Sequence, residues 1–479
     1  PDPYTVIFNL NRPYAPIMKA FGMIGGGVIP KHVYEKTDIL QNENNWNAEV
    51  SSGPFLLKEW VRGDHVTLVK NPNYFYEGKP YLDQVVFKII PEQTSAVVAY
   101  ERGEVDYLGF GGLPPSNDIP RLAKMPNTMI NNKMNMAFSG SFFLGFNLRD
   151  PILEDVNVRR ALATATDVET INELAFPVIG NVPISHLHST MAEAIPTLGQ
   201  YNYDIAKANQ ILDDAGYSKP ADGMRFSLEF TFRKSDLGGA VLKAAQILQQ
   251  NWKQIGVDLI LLPLEVGAHT EKVFGKWDFQ ITLGSHPSGP DPGLFWWGRY
   301  HGDIIMPGVP GTNVEGYNNT NVNSLLYQGA GETDPAKRAE IYQEVQQILA
   351  SDMPTVPLTD ELVTGVYRNT FVGLPADAFG GWRNSFQEVW WTAGAPPTTV
   401  TTTATKSTTT TTTAAPVTTT ATTTATTTET TPTTTTTITT SVQTETVPVD
   451  VSGYVVGIAL AIIVAIISIA YAVVSKRRK

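Results

Sequence analysis

The chain has 479 residues, a formal net charge of -11 and no cysteine. Without cysteine there is no disulfide, no thiolate metal ligand and no thiol nucleophile, and an acidic balance disfavours nucleic acid as a partner. The length exceeds one ordinary core and implies two or three domains of about 100–200 residues each.

Pro1–Leu40 reads as extended segments and turns. Thr5-Val6-Ile7-Phe8-Asn9-Leu10 has strand composition, and Pro13 and Pro16 break the residues after it. Gly25-Gly26-Gly27 is a loop signal, with no GxxxxGK phosphate loop anywhere in the chain. The opening Pro1-Asp2-Pro3 lacks both a methionine and a signal peptide, so a fragment cut at its N-terminus is expected.

From about Val50 the pattern is mixed α/β. Val66–Val69 and Val85–Ile90 read as strands, Thr94–Arg102 as a short helix closed by Gly103, and Val105–Leu108 as a further strand. Val158, Ala161, Leu162 and Ala165 form one apolar helical stripe. Asp204 can cap a helix running to Ala215, with Gly216 free to take the left-handed exit.

Next comes a strand–helix–strand unit. Phe226, Leu228, Phe230 and Phe232 alternate with polar residues. Val241, Ala245, Leu248, Trp252 and Ile255 make a helical stripe ended by Gly256, and Val257–Leu262 is the next strand. That order implies a parallel pairing through a right-handed crossover. Asp278–Leu283 is one more strand. Asp334-Pro335 supplies a cap and a first-turn proline for a last helix, with stripe Ile341, Val345 and Ile348 and a stop at Pro354.

Pro396–Pro448 is nearly all threonine with alanine and proline, too polar to build a core. The composition is that of an O-glycosylated stalk, and stretched as polyproline II it reaches about 160 Å. Within 451–474, Tyr454–Val474 carries no charge and as a helix covers about 31 Å, the thickness of a bilayer core. Tyr454 and Tyr471 suit its two interfaces, and Lys476-Arg477-Arg478-Lys479 belongs on the cytoplasmic side, in a 475–479 tail. The part ahead of the stalk is then expected outside the cell, on a single-pass membrane anchor.

Ligands bind beyond the carboxyl ends of strands in open parallel sheets. The stretch Gly284–Tyr300 after the Asp278–Leu283 strand therefore holds the candidate binding residues: Ser288, Asp291, Trp296, Trp297, Arg299 and Tyr300. Tryptophan faces stack on sugar rings or planar groups, and Asp291 and Arg299 can orient a ligand. The competing reading makes Phe295 and Trp296 core and the rest a rigid corner. His186-Leu187-His188 has no third metal ligand at a telling spacing and reads as a surface loop, so neither a metal nor another cofactor is expected. Glu101, Glu104 and Asp106 read as a solvated face. GxSxG, HExxH and Walker A motifs are absent, so catalysis is not expected. Asn318-Asn319-Thr320 is an N-glycosylation sequon.

Several segments taken together resemble the family 5 extracellular solute-binding proteins, the oligopeptide/dipeptide-binding class that serves ABC importers. They are Asp2–Val6, Ser52-Gly53-Pro54-Phe55 with Leu57–Trp60, Lys70-Asn71-Pro72-Asn73-Tyr74, Gly78–Asp83, Gly103–Asp106 and Gly145–Leu148 with Val158–Leu162. They continue with Ala206–Ala208, Ala215-Gly216-Tyr217, Ile255-Gly256-Val257, Asp291-Pro292 and Asp334–Arg338. The resemblance covers nearly all of residues 1–390.

It implies an α/β, two-lobe periplasmic-binding-protein-like (type II) fold. Residues 1–49 would be a remnant of an extra N-terminal domain, 50–138 with 365–392 a first lobe, and 139–364 a second. It implies capture of a small solute, an oligopeptide or oligosaccharide, and delivery to ABC permease and ATPase subunits. The alternative is a cell-surface structural or adhesion protein with the same fold. Peptide binders of this family hold the peptide's amino group with an aspartate a few residues before Asp-Pro, a place that falls here on Ser288. With a threonine stalk and C-terminal anchor, the whole resembles archaeal members, some of which bind oligosaccharides.

Overall fold

The computed structural model describes residues 2–391 apart from 3–4, 22–27, 46, 48–49, 109–113, 132–139, 178, 235–238, 288–290, 310, 363–364 and 374–385. The expected stalk, span and basic tail, the Gly25–Gly27 loop and Ser288 lie outside the described residues. Among those residues no helix is long and apolar enough to cross a membrane.

The first stretch carries two single-turn helices, α1 (Ile17–Ala20) and α2 (Lys31–Tyr34). Thr5–Leu10 does not form the expected strand. Val6 and Phe8 are 75% and 58% exposed, and β composition makes no ladder without a strand beside it. β1 (Phe55–Val61), β2 (His65–Lys70) and β3 (Gln84–Lys88) form an antiparallel sheet, with Leu57 facing Leu68, a bulge between Leu57 and Glu59, and Val66 facing Phe87. The Asn71 amide locks its base, donating to the Gly53 carbonyl at 2.8 Å and accepting from Asn73 N at 3.0 Å.

α3 (Gln93–Glu101) ends as expected, at Gly103 with φ 77°. β4 (Tyr107–Leu108), α4 (Ile119–Leu122) and β5 (Thr128–Asn131) come next. Residues Gly365–Arg368, far down the chain, lie between β4 and β5 and run antiparallel to both. Val97, Tyr100, Leu108, Leu122 and Val366 share one small core there. Glu101, Glu104 and Asp106 are exposed, as a solvated face should be.

The larger sheet starts with β6 (Gly140–Phe146). After it the chain forms α5 (Val156–Thr164), α6 (Val168–Ala175), β7 (Gly180–Asn181), α7 (Ile205–Asp214), β8 (Phe226–Arg233), α8 (Ala240–Gln254) and β9 (Val257–Leu264). Next come α9 (Val266–Thr270), β10 (Ile281–Pro287), α10 (Pro292–Tyr300), α11 (Thr320–Gly331), α12 (Pro335–Asp352) and β11 (Thr355–Glu361). The chain then makes β12 (Gly365–Arg368) and a small pair, β13 (Phe371–Val372) with β14 (Trp390–Trp391). The six-stranded order is β7-β11-β6-β10-β8-β9, with β8 parallel to β9 and β10, and β6 antiparallel to β10 and β11.

Carboxylate caps fix the helix starts. Asp155, Asp167, Asp204 and Asp334 each accept backbone N–H groups of the first turn, and Pro335 fills a position whose N–H has no helical partner. Leu144, Phe146, Leu228, Phe230 and Phe232 pack on one face of the sheet against Val158, Leu162, Leu248 and Trp252. Because side chains alternate, Ser141, Phe143 and Gly145 of β6 face the other way. A second core gathers Leu187, Trp296, Tyr300, Tyr317, Leu326, Tyr342 and Leu349.

Two expectations shift. The strand read at Asp278–Leu283 starts at Ile281 and runs on to Pro287. The stretch read as a loop to Tyr300 holds the end of that strand and all of α10.

Candidate functional site

α10 begins where Asp291 accepts Gly293 N at 2.9 Å and Pro292 takes the first turn. The Asp291 carboxylate is 1% exposed. The Arg338 guanidinium of α12 grips both its oxygens, with Nη1 2.9 Å from Oδ2. Lys19, from α1, places Nζ 3.2 Å from the same Oδ2. Arg338 also donates from Nε to the Gly329 carbonyl at 2.8 Å and lies 4.0 Å from Glu193. Two carboxylates thus meet two cations at the head of α10. One cation, Lys19, belongs to a segment far from α10 in the chain.

The aromatic residues divide by exposure. Trp296 is enclosed, edge-on to Tyr300 at 5.6 Å and Tyr342 at 6.2 Å, and its indole N–H has no hydrogen-bond partner among the described residues. Tyr300 is enclosed too, its hydroxyl 3.3 Å from Thr355 Oγ1 and its pKa pushed up to about 12 by burial. Trp297 is half-buried. It stacks on His301 at 3.8 Å, and Tyr327 of α11 lies 6.1 Å away. The Arg12 guanidinium sits 4.0 Å from the Tyr327 ring and 5.9 Å from that of Trp297.

Arg299 turns inward. It lies 4.3 Å over the Phe143 ring, ion-pairs with buried Glu315 and reaches the Thr312 carbonyl at 3.5 Å. Burial raises the Glu315 carboxyl above its ordinary range, against the pull of Arg299. Gly145 leaves the room for this pair, since a Cβ there would collide with the Glu315 carboxylate.

Asp291, Trp296, Arg299 and Tyr300 are therefore closed off by packing, and Trp297 is the expected site residue that reaches the surface. Ser288 lies outside the described residues. His186 and His188 are not on a surface loop: both are buried, with His186 Nε2 3.0 Å from the Thr355 carbonyl and His188 Nδ1 2.7 Å from Thr190 Oγ1. Burial holds the His186 imidazole down to about 4, so it is neutral near pH 7. Among the described residues no acid and histidine cluster fit for a metal occurs. An open hollow of about 320 Å³ is lined by α3 residues, Arg102 and Glu104, with none from α10. Sequence reasoning missed Arg12, Lys19, Glu193 and Tyr327, which only tertiary folding brings to α10. Arg338 was visible only as part of the Asp334–Arg338 segment.

A family model described as "Bacterial extracellular solute-binding proteins, family 5 Middle" matches residues 1–305. The oligopeptide-binding protein AppA of Bacillus subtilis is 28% identical over 368 residues, 74% of this chain and 63% of its own. The oligopeptide-binding protein OppA of the same organism is 26% identical over 341 residues, 67% of this chain and 58% of its own. The chain thus spans less than two thirds of the length of these relatives. The solved structure of DppA from Helicobacter pylori in complex with peptide STSA matches with TM-score 0.66 at 22% identity, over 80% of this chain and 71% of that one. The likeness establishes a periplasmic-binding-protein-like α/β fold.

Proposed function

The chain belongs to the extracellular solute-binding proteins of family 5, and from that premise we propose that it captures a solute outside the cell and delivers it to the permease of an ABC importer. The observation that carries this reading is the family match across residues 1–305, which takes in β1–β3 and five of the six strands of the larger sheet. Proteins of this family bind rather than catalyse.

A peptide is the solute class we favour. The relatives above are named for oligopeptides. Stacking on a sugar would need open tryptophan faces, and of the two on α10 only Trp297 reaches solvent. Ser288 stands where an aspartate would hold the amino group of a peptide, so recognition has to rest on side chains and backbone. N-acetylated peptides are then expected to bind within about threefold of free ones.

The proposed arrangement makes 50–138 with 365–392 the first lobe, supported by the seat of β12 between β4 and β5. Residues 139–364 are the second lobe. A threonine stalk and the 451–474 span tether the head to the membrane, with the four final cations inside.

Thermal denaturation with peptides of two to nine residues, and with di- to hexasaccharides for comparison, tests the binding role. A solute at 100 times its Kd adds about 2.7 kcal/mol and raises the melting temperature. If no member of either set moves the midpoint, the importer reading fails. Protease added to intact cells should digest the head, and its survival would refute the proposed topology.

A further inference from the structure

We propose that the α10–α11 face around Trp297 is a recognition surface for cationic side chains, which the Arg12–Lys19 segment of the same chain covers as an internal occupant. This inference rests on the solute-binding reading and names its substrate class as peptides rich in arginine or lysine.

Two features of the face attract a cation, and each holds one from the segment. The tilted Trp297 and Tyr327 rings, 6.1 Å apart, offer π faces to the Arg12 guanidinium, 4.0 Å from Tyr327. At the head of α10, Asp291 and Glu193 meet a single cation from the same helical layer, Arg338. The second is supplied by Lys19. With the Lys19 ammonium swung away, those three remaining groups sum to one negative charge.

Only two side chains have to give way. Lys19 is half-exposed and Arg12 partly so; Lys19 is the solvated side of its pair with buried Asp291, which Arg338 continues to hold, and surface cation–π contacts are weak. The backbone of the segment stays in place through Ala15 N, which donates to the Ala330 carbonyl at 2.9 Å, and through Tyr14 and Pro16, both packed inward. A bound peptide's basic side chains would exchange with Arg12 and Lys19 at the positions they occupy, leaving the fold untouched.

The test is calorimetric titration of the wild-type chain and of an Arg12→Ala/Lys19→Met variant with triarginine and with trialanine. Removing the internal competitors should tighten triarginine about tenfold and leave trialanine within about twofold. Adding Trp297→Ala to the variant should abolish the gain. If the double variant does not fold, Arg12→Gln alone, at the contact with the half-buried Trp297 and the exposed Tyr327, is expected to give about a threefold gain. Triarginine bound no tighter by a folded variant, while the wild type still takes up some peptide, would overturn this inference alone. Failure of every peptide to bind any form would remove the solute-binding reading with it.

Discussion

Single residues show how differently one carboxylate can be served. Arg338 and Asp291 are both buried, and without Arg338 the Asp291 carboxylate would keep only the half-exposed Lys19 as a partner. Arg338→Met is therefore expected to cost about 3–5 kcal/mol. Lys19 touches the same carboxylate from a half-exposed position, and Lys19→Met should cost no more than about 1 kcal/mol. Urea denaturation of the two variants checks the order, and equal losses would contradict it. His186 and His269 contribute to the pH dependence of stability. Burial holds both at about 4, against about 6.5 in the unfolded chain. Between those values the unfolded chain binds protons that the native state refuses. Stability is thus complete above pH 6.5 and falls toward pH 4, by up to about 1.4 kcal/mol per pH unit for each histidine. In His186→Gln the slope of melting temperature against pH should flatten in that window; an unchanged slope would mean that the imidazole is not shielded. None of this was readable from His186-Leu187-His188, because the groups that touch His186, Thr355 and Tyr300, come from β11 and α10.

At the level of elements, the sequence was most legible where strands are long and paired on both edges. The alternation of Leu228, Phe230 and Phe232 translates directly into buried residues of β8, since neighbours β9 and β10 fix its register. Thr5–Leu10 has the same kind of composition and no strand paired with it among the described residues. The start of α10 was equally visible. Asp291-Pro292 repeats the cap-and-proline signature of Asp334-Pro335, and the buried Trp296 and Tyr300 keep i, i+4 spacing. The glycines and prolines around it made it read as a loop. The inward turn of Arg299 onto Glu315 was not legible, because it depends on the space left by Gly145 on a distant strand. Helix exits give a further prediction. Gly216 and Gly256 both have positive φ, 89° and 76°. A Cβ on Gly216 meets nothing, whereas one on Gly256 would lie 2.7 Å from the Gly223 carbonyl oxygen. Gly216→Ala should cost about 1 kcal/mol, and Gly256→Ala distinctly more, measured by equilibrium denaturation.

On the scale of the whole molecule, stability is unevenly shared. Apart from Ile119, the buried residues of the largest core lie between Phe142 and Leu358, and those of the second core between Leu187 and Leu349. Residues 140–361 are thus expected to unfold cooperatively when expressed alone, and a broad, non-cooperative urea transition would contradict this. The family resemblance was legible for a physical reason. Its short segments include the bends and locks of the fold, such as the Asn71 amide against Gly53. Where β12 joins β5, Gly365 lies directly opposite Asn131, the last residue of that strand. Ends that close in an antiparallel pair are what a two-residue hairpin turn normally connects. Read as punctuation, everything from Gly140 to Glu361 is a parenthesis opened inside one hairpin. The clause around it would still be grammatical with the parenthesis lifted out, so the smaller body could host a different insert at the same seam.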